Sequence, residues 1–407
     1  MNLRTTTALL LLCVTAGPRL AAQPPTGGVA TTTTTPPPTP ENLLNPQTPD
    51  RLIPGYVGGM GNANVQGIVT VDGRALPGPY DRPPKVDREV KPGYPPVVLV
   101  QGVAGEVKLS VLVDAAGEAR DARVSFSPHP EFELAAVDAA LQWKFKPATK
   151  NGQPVPARYE VTVRFQVTRA ANAKAAVAFA APAVSPKNYP VEYQYDKAPE
   201  VKLATAAVFP YALAAKKGEG TATLVFLIDP LGHTRRIEVR ESSDPEVGAA
   251  AAAMMASWQF TPAKKGGKPT WTMLAQKHTF GLTGSDSVLG ESAARLVEDI
   301  LHNPAAILEN PGTLDAGLKP RYQVGPAIPE EMLVAGTSAD AEIEVIVDRT
   351  GRVQLPRIVS ATREDFGWAA ATAVNRWLFV PPRKDGQPVD VRVRIPLGYE
   401  APARKKP

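Results

Sequence analysis

The sequence predicts an α+β protein in which one small strand–strand–helix–strand unit is used three times. Three observations predict it. A signature recurs in register: Asp114, Gly117, Trp143, Phe145 and Pro147; then Asp229, Gly232, Trp258, Phe260 and Pro262; then Asp348, Gly351, Trp377, Phe379 and Pro381. Asp and Trp are 29 residues apart in every copy, and the copies follow one another at 115 and 119 residues. That period is too long for a solenoid and sets small domains in series. Second, the residues before each Asp alternate apolar and polar, the period of a half-buried strand. Third, an Ala-rich stretch of helical spacing lies between the Asp and the Trp of each copy.

Each unit opens on an aromatic or apolar residue before proline, at Tyr94-Pro95, Phe209-Pro210 and Ile328-Pro329. Proline holds this lead-in extended and keeps a helix from starting there. The first strand follows. Val107, Leu109, Val111 and Val113 line one face in copy one, with Ala222, Leu224, Phe226 and Ile228, then Ala341, Ile343, Val345 and Val347, in the next two. Lys108 and Ser110, Thr221 and Thr223, and Glu342 and Glu344 take the opposite face. In the Asp-x-x-Gly turn the carboxylate caps its own loop and glycine supplies positive φ. A second strand ends at Val124, Val239 and Ile358.

The helix is predicted over 131–142, 245–257 and 364–376. Ser243-Asp244-Pro245 combines a capping side chain with first-turn proline, and Thr362 before Asp365 is a similar start signal. Trp-x-Phe-x-Pro ends the helix. A tight turn at 150–152, 265–267 and 384–386 then leads to a last strand at 157–167, 270–280 and 389–396. The result is a three-stranded antiparallel sheet under one helix, with the signature Trp and Phe at their junction as core residues.

Forty-three prolines in 407 residues mark what lies between the units. Residues 1–22 read as a secretory signal, with Arg4 ahead of an uncharged stretch around Leu9 to Leu12 and a small-residue exit at Ala21-Ala22. The uncharged stretch is shorter than the roughly 20 residues a membrane helix needs. Residues 23–79 read as a Pro/Thr/Gly-rich linker, largely disordered, and 169–194 as a second, Ala/Pro-rich linker. Residues 284–315 form a third, with a short helix expected at 292–307. The units themselves are placed at 80–168, 195–283 and 316–400.

Cys13 is the only cysteine, so a chain without its signal has no disulfide, thiol nucleophile or thiolate metal site. The formal charge of +5 falls to +3 when Arg4 and Arg19 leave with the signal, which gives no basis for nucleic-acid binding. His129, His233, His278 and His302 occupy unrelated places in the copies. Neither a metal cluster nor an acid–base pair is expected from them. Phosphate loop, dinucleotide fingerprint and nucleophile elbow are all missing from the sequence. No enzyme, cofactor or small-molecule substrate is expected.

Taken together, Tyr94-Pro95, Gly105-Glu106-Val107, Asp114 with Gly117, Trp143 to Pro147 and Gly152-Gln153-Pro154 resemble the C-terminal domain of the TonB family. Copy two matches nearly as well. Copy three departs at Ala339 and Ile328 but keeps Arg394-Ile395-Pro396 near its end. The resemblance implies a periplasmic protein whose terminal domain takes a short segment of an outer-membrane transporter by strand addition, at an edge of unpaired backbone groups. The candidate edges are the last strands, with Arg158, Glu160, Thr162 and Arg164 in copy one and Arg392 and Arg394 in copy three. Family members are energy transducers with an amino-terminal membrane helix on an inner-membrane motor; the short, cleavable-looking start and the three tandem copies depart from that plan. The expectation is a non-enzymatic periplasmic binding protein. A membrane-anchored transducer and a structural envelope protein remain the alternatives.

Overall fold

A computed structural model describes residues 52–53, 66–99, 103–168, 191–282 and 285–402. The expected signal, the low-complexity stretch at 23–50 and most of the 169–194 linker lie outside them. Copy one contains strands β1 (Gln66–Ala75), β2 (Gly105–Val113) and β3 (Ala119–Phe126), helix α1 (Pro130–Ala140) and strand β4 (Ala157–Thr168). Copy two contains β5 (Gly220–Ile228), β6 (Thr234–Ser242), α2 (Pro245–Ser257) and β7 (Thr272–Gly281). Helix α3 (Glu291–His302) follows, beginning one residue before the expected 292–307 segment and ending ahead of Pro304. Copy three contains β8 (Ala339–Val347), β9 (Val353–Ala361), α4 (Glu364–Val374) and β10 (Asp390–Tyr399). Each sheet is antiparallel through its long strands, with the unit's first strand between its second and last: β4-β2-β3, β7-β5-β6 and β10-β8-β9. The α+β reading holds, and no sheet among the described residues closes into a barrel.

The signature acts as one hydrogen-bonded device. Asp114 Oδ1 accepts from the amides of Ala116 and Glu118, both at 2.9 Å. Asp229 does the same for Leu231 and His233, and Asp348 for Thr350 and Arg352. Gly117 has φ +82°, and a Cβ there would stand 1.9 Å from the Phe145 carbonyl oxygen. Glycine is therefore required twice over, by backbone conformation and by close approach. The Phe145 amide returns a bond to the Gly117 carbonyl at 2.8 Å, repeated between Phe260 and Gly232 and between Phe379 and Gly351. Each Trp indole donates to a carbonyl 53 residues earlier: Trp143 to Val90, Trp258 to Thr205, Trp377 to Val324. Trp143 and Trp258 are buried; Trp377 is half-buried against the same kind of core.

The inward faces of β2, β5 and β8 are buried as their alternation predicts. The outward face of copy two departs from the half-buried expectation. Val225, Leu227, Met273 and Ala275 are buried there beneath Tyr193 and Tyr195, residues just before and at the start of the unit. The lead-in prolines also do something unexpected: a short helix begins directly after each, at Pro96–Leu99, Tyr211–Ala215 and Glu330–Ala335. Proline's fixed φ suits the entry to a helix as well as it blocks the middle of one. Thr362 does not cap α4, whose N-cap position is Arg363. Its hydroxyl accepts from the Asp340 amide at 2.9 Å, as Ser243 does from Thr221. Asp244 caps α2 through the Glu246 amide.

One recurring residue escaped the sequence reading. Asp81, Asp196 and Asp315 keep the 115 and 119 spacing, and each carboxylate accepts amide bonds from the late tight turn. Asn151, Gly266 and Asp385 are the donors, at 2.6, 2.5 and 2.7 Å.

The copies are packed on each other. Apolar core runs continuously from Phe226, Met254 and Trp258 of copy two into Ile343, Phe366 and Trp368 of copy three, with α2 against α4. Copies one and three meet at a buried ion pair, Arg376 to Glu133 at 2.5 Å, to which Tyr322 adds a hydroxyl donor at 3.1 Å. Copies one and two join through Ser127, which exchanges backbone bonds with Lys202 and Ala204 at 3.0 Å.

Candidate strand-docking edge

The last strand of each copy forms one edge of the unit's three-strand core, so docking depends on what lies beyond it. Register fixes which residues face outward along that edge. The Arg158 carbonyl accepts from the Leu76 amide at 3.0 Å, which points the backbone N–H and C=O groups of Arg158, Glu160, Thr162 and Arg164 away from β2. The signature spacing carries these positions to Met273, Ala275, Lys277 and Thr279 in copy two and to Arg392, Arg394, Pro396 and Gly398 in copy three.

In copy one that edge is occupied. β1 pairs antiparallel with β4 over ten residues, from Gln66 opposite Thr168 to Ala75 opposite Tyr159. Arg158, Glu160, Thr162 and Arg164 therefore sit inside a four-stranded sheet, which corrects their reading as edge residues. Residues 66–75, read as linker, form the added strand. Their period-2 pattern was too short and too Gly-rich to announce it. The three charged side chains are used across strands: Glu160 with Arg74 at 2.8 Å, Arg164 with Glu106 at 2.8 Å and with Asp72, and Arg158 with Asp121. Burial raises the Glu106 carboxyl, but Lys108 and Arg164 outweigh it and leave the group below the usual range.

In copy two the edge is closed piecemeal. Leu52–Ile53 pairs parallel with Ala275 and Gln276, and Ser287–Val288 with Phe280 and Gly281. Between them the Thr279 amide, facing outward, donates to Asp286 Oδ2 at 2.8 Å. His278 stands 2.9 Å from the Ser287 hydroxyl, fully enclosed, and burial pushes its imidazole down to about 4 against the pull of Asp286. Serine, histidine and aspartate meet here as a clasp: the histidine–aspartate separation is 4.0 Å, and the carboxylate oxygen is spent on Thr279.

In copy three only the beginning is covered. Ile307–Leu308 pairs parallel with Asp390 and Val391. Asp390, buried, takes two bonds from Arg295 of α3 and two from Arg349. Burial opposes ionisation of that carboxyl, yet the arginine bonds hold it below the usual range. Beyond Val391, no strand among the described residues pairs with the outer edge of β10. Arg392 and Arg394 lie there. Both contact Glu344, at 3.4 and 3.3 Å, and Arg357 reaches the same carboxylate at 2.6 Å. Val393, Ile395, Leu397 and Tyr399 pack partly buried along the inner side. Pro396 falls on an outward-facing position, where a missing N–H leaves the ladder to β8 intact.

A sequence profile described as Gram-negative bacterial TonB protein C-terminal matches residues 90–167, 205–282 and 325–401, more than half of the chain. The chain belongs to this family. Protein TonB of Xanthomonas campestris pv. campestris is 44% identical over 75 residues, 18% of this chain and 34% of that protein. Protein TonB of Vibrio cholerae serotype O1 is 32% identical over 88 residues, 21% of this chain and 36% of that protein. The chain thus spans about a third of the length of these curated TonB relatives. All three TonB C-terminal segments leave β1 outside their bounds.

Proposed function

We propose that this is a non-enzymatic, periplasmic binding protein of the TonB type, acting in transport across the outer membrane. It captures an extended periplasmic segment of an outer-membrane transporter, or of another envelope protein, by adding it as a strand to copy three. One observation carries the reading. Of the three last strands, β10 alone has no strand among the described residues on its outer edge beyond the short Ile307–Leu308 contact, while β4 is covered along its length and β7 is closed in pieces. Family membership supports the kind of partner. Backbone bonds would supply affinity and the side chains of alternate residues specificity.

Arg394→Pro tests this. It deletes an outward N–H without touching the bonds to β8. Capture of the periplasmic segment of a transporter from the same envelope is expected to fall at least about ten-fold, with the fold unchanged by circular dichroism. Undiminished capture would remove copy three as the docking edge.

The motor-coupled transducer is the other reading, favoured by the relatives' name. It requires a membrane helix, and no helix of the described residues is long and apolar enough to cross a membrane. Sequencing the amino terminus of protein taken from envelope fractions separates the two. A chain beginning near Gln23 in the soluble periplasm supports the binding protein; one retaining Met1 with the inner membrane supports the transducer.

A further inference from the structure

The outer edge of β4 has an occupant from its own chain, and that occupant is an addition to the unit rather than part of it. Among the described residues, copies two and three build the same core from three long strands and a helix, and carry only two-residue strands on the corresponding edge. The family segment of copy one likewise begins at residue 90, after β1 has ended. None of residues 67–75 is fully buried; Val69, Val71 and Ala75 reach the core only partly, and Ile68 is 44% exposed. What attaches β1 is a backbone ladder and a few exposed pairs, the profile of an element that opens before the rest of a domain.

The occupant is also matched to this one edge. Gly67 and Gly73 lie against the rings of Tyr94 and Tyr159, where a Cβ would come within 2.4 Å of a ring carbon in each case. Arg74 faces Glu160, and Asp72 reaches Arg164. On copy three Arg394 stands where Glu160 does, and Val393 where Tyr159 does. β1 laid on β10 would set Arg74 against Arg394. The sequence discriminates between the two edges by charge and shape. Connection through Leu76, whose amide continues the ladder, keeps the local concentration of β1 at its own edge high.

We propose that copy one holds a second strand-accepting edge, shielded in cis by residues 66–75, which open as a unit to uncover it. The proposal extends the edge-docking reading to copy one. Its probe is the chain's own segment, so its outcome does not depend on whether copy three captures a transporter.

The test adds a synthetic peptide with the sequence of residues 66–75 to the full chain. In the unaltered protein the tethered strand outcompetes it. Gly73→Val, which drives a side chain into Tyr159, is expected to bind the peptide at least about ten-fold more tightly. Adding Glu160→Arg is expected to weaken that binding about two- to five-fold, the reach of one cross-strand pair. A folded Gly73→Val chain that binds no better than the unaltered one overturns the proposal. So does an unaltered chain that binds equally well. Hydrogen exchange on the unaltered protein decides independently if the variant does not fold. Amides of β1 are expected to exchange at least about ten-fold faster than those of β2, through an opening that leaves β2 protected. Exchange of both strands in step would make β1 an integral strand and end the idea.

Discussion

β4 and β10 occupy the same place in copies that share one signature, yet one is the inside of a sheet and the other its edge. Nothing within the repeated unit accounts for the difference. Both strands pair with their central strand over nine residues in the same register. Both carry arginines bound to carboxylates of that central neighbour or of the strand beyond it, Arg164 to Glu106 and Arg392 to Glu344. The difference comes from the segments between the units. Residues 66–75 run the length of β4, while Ile307–Leu308 stops after two residues on β10. In this protein the repeats supply edges at equivalent places, and the intervening chain decides which are covered among the described residues.

Substitutions at the contacts named above test that contrast, beginning with the greatest expected loss. Arg376→Ala leaves Glu133 buried without its cation between copies one and three. A loss of roughly 3–5 kcal/mol is expected in urea unfolding, and a loss below about 1 kcal/mol would mean the copies are not clamped there. Matched prolines come next. Glu160→Pro deletes a donor that β1 uses and should cost about 1–3 kcal/mol, with faster exchange of β1. Arg394→Pro, at the same position on an open edge, should cost less than about 1 kcal/mol. Equal losses would show that β10 is as fully paired as β4.

Acid separates the copies in a third way. Burial holds His278 and His129 down to about 4, against 6.5 for a free imidazole. As pH falls from 6.5 toward 4 the unfolded chain takes up protons that the folded chain refuses, so stability drops across that window. The drop is on the order of 1.4 kcal/mol for each unit of separation. Val163 and Leu397 stand at the His278 position in copies one and three. His278→Gln should therefore flatten part of the urea-midpoint profile between those pH values; an unchanged profile would rule His278 out as its source. The smallest effect is expected from Arg74→Ala, an exposed pair, at less than about 1 kcal/mol. A larger loss would mean that the pair, rather than the backbone ladder, holds β1 in place.

Much of the unit could be read in advance because it depends on local periodicity. The buried faces of β2, β5 and β8, the extent of α2 and the roles of Asp114, Gly117 and Trp143 with their counterparts all follow from spacing within a few turns of chain. Asp81, Asp196 and Asp315 recur at the signature spacing, but their role shows only once the turn each one caps, 70 residues on, is in place. β1 was missed because two glycines and few apolar residues look like linker; their use shows only against Tyr94 and Tyr159. Of the six expected edge residues, Arg392 and Arg394 lie on the open strand, while Arg158, Glu160, Thr162 and Arg164 are enclosed.

The sequence alone determined a threefold α+β unit and its core, since alternation, capping and the special conformation of glycine act over short distances. Tertiary structure decided how the copies pack and which edge stays free. Those outcomes depend on pairings between residues as far apart as Arg74 and Glu160, or Glu133 and Arg376, whose energies exist only after the chain has brought them together.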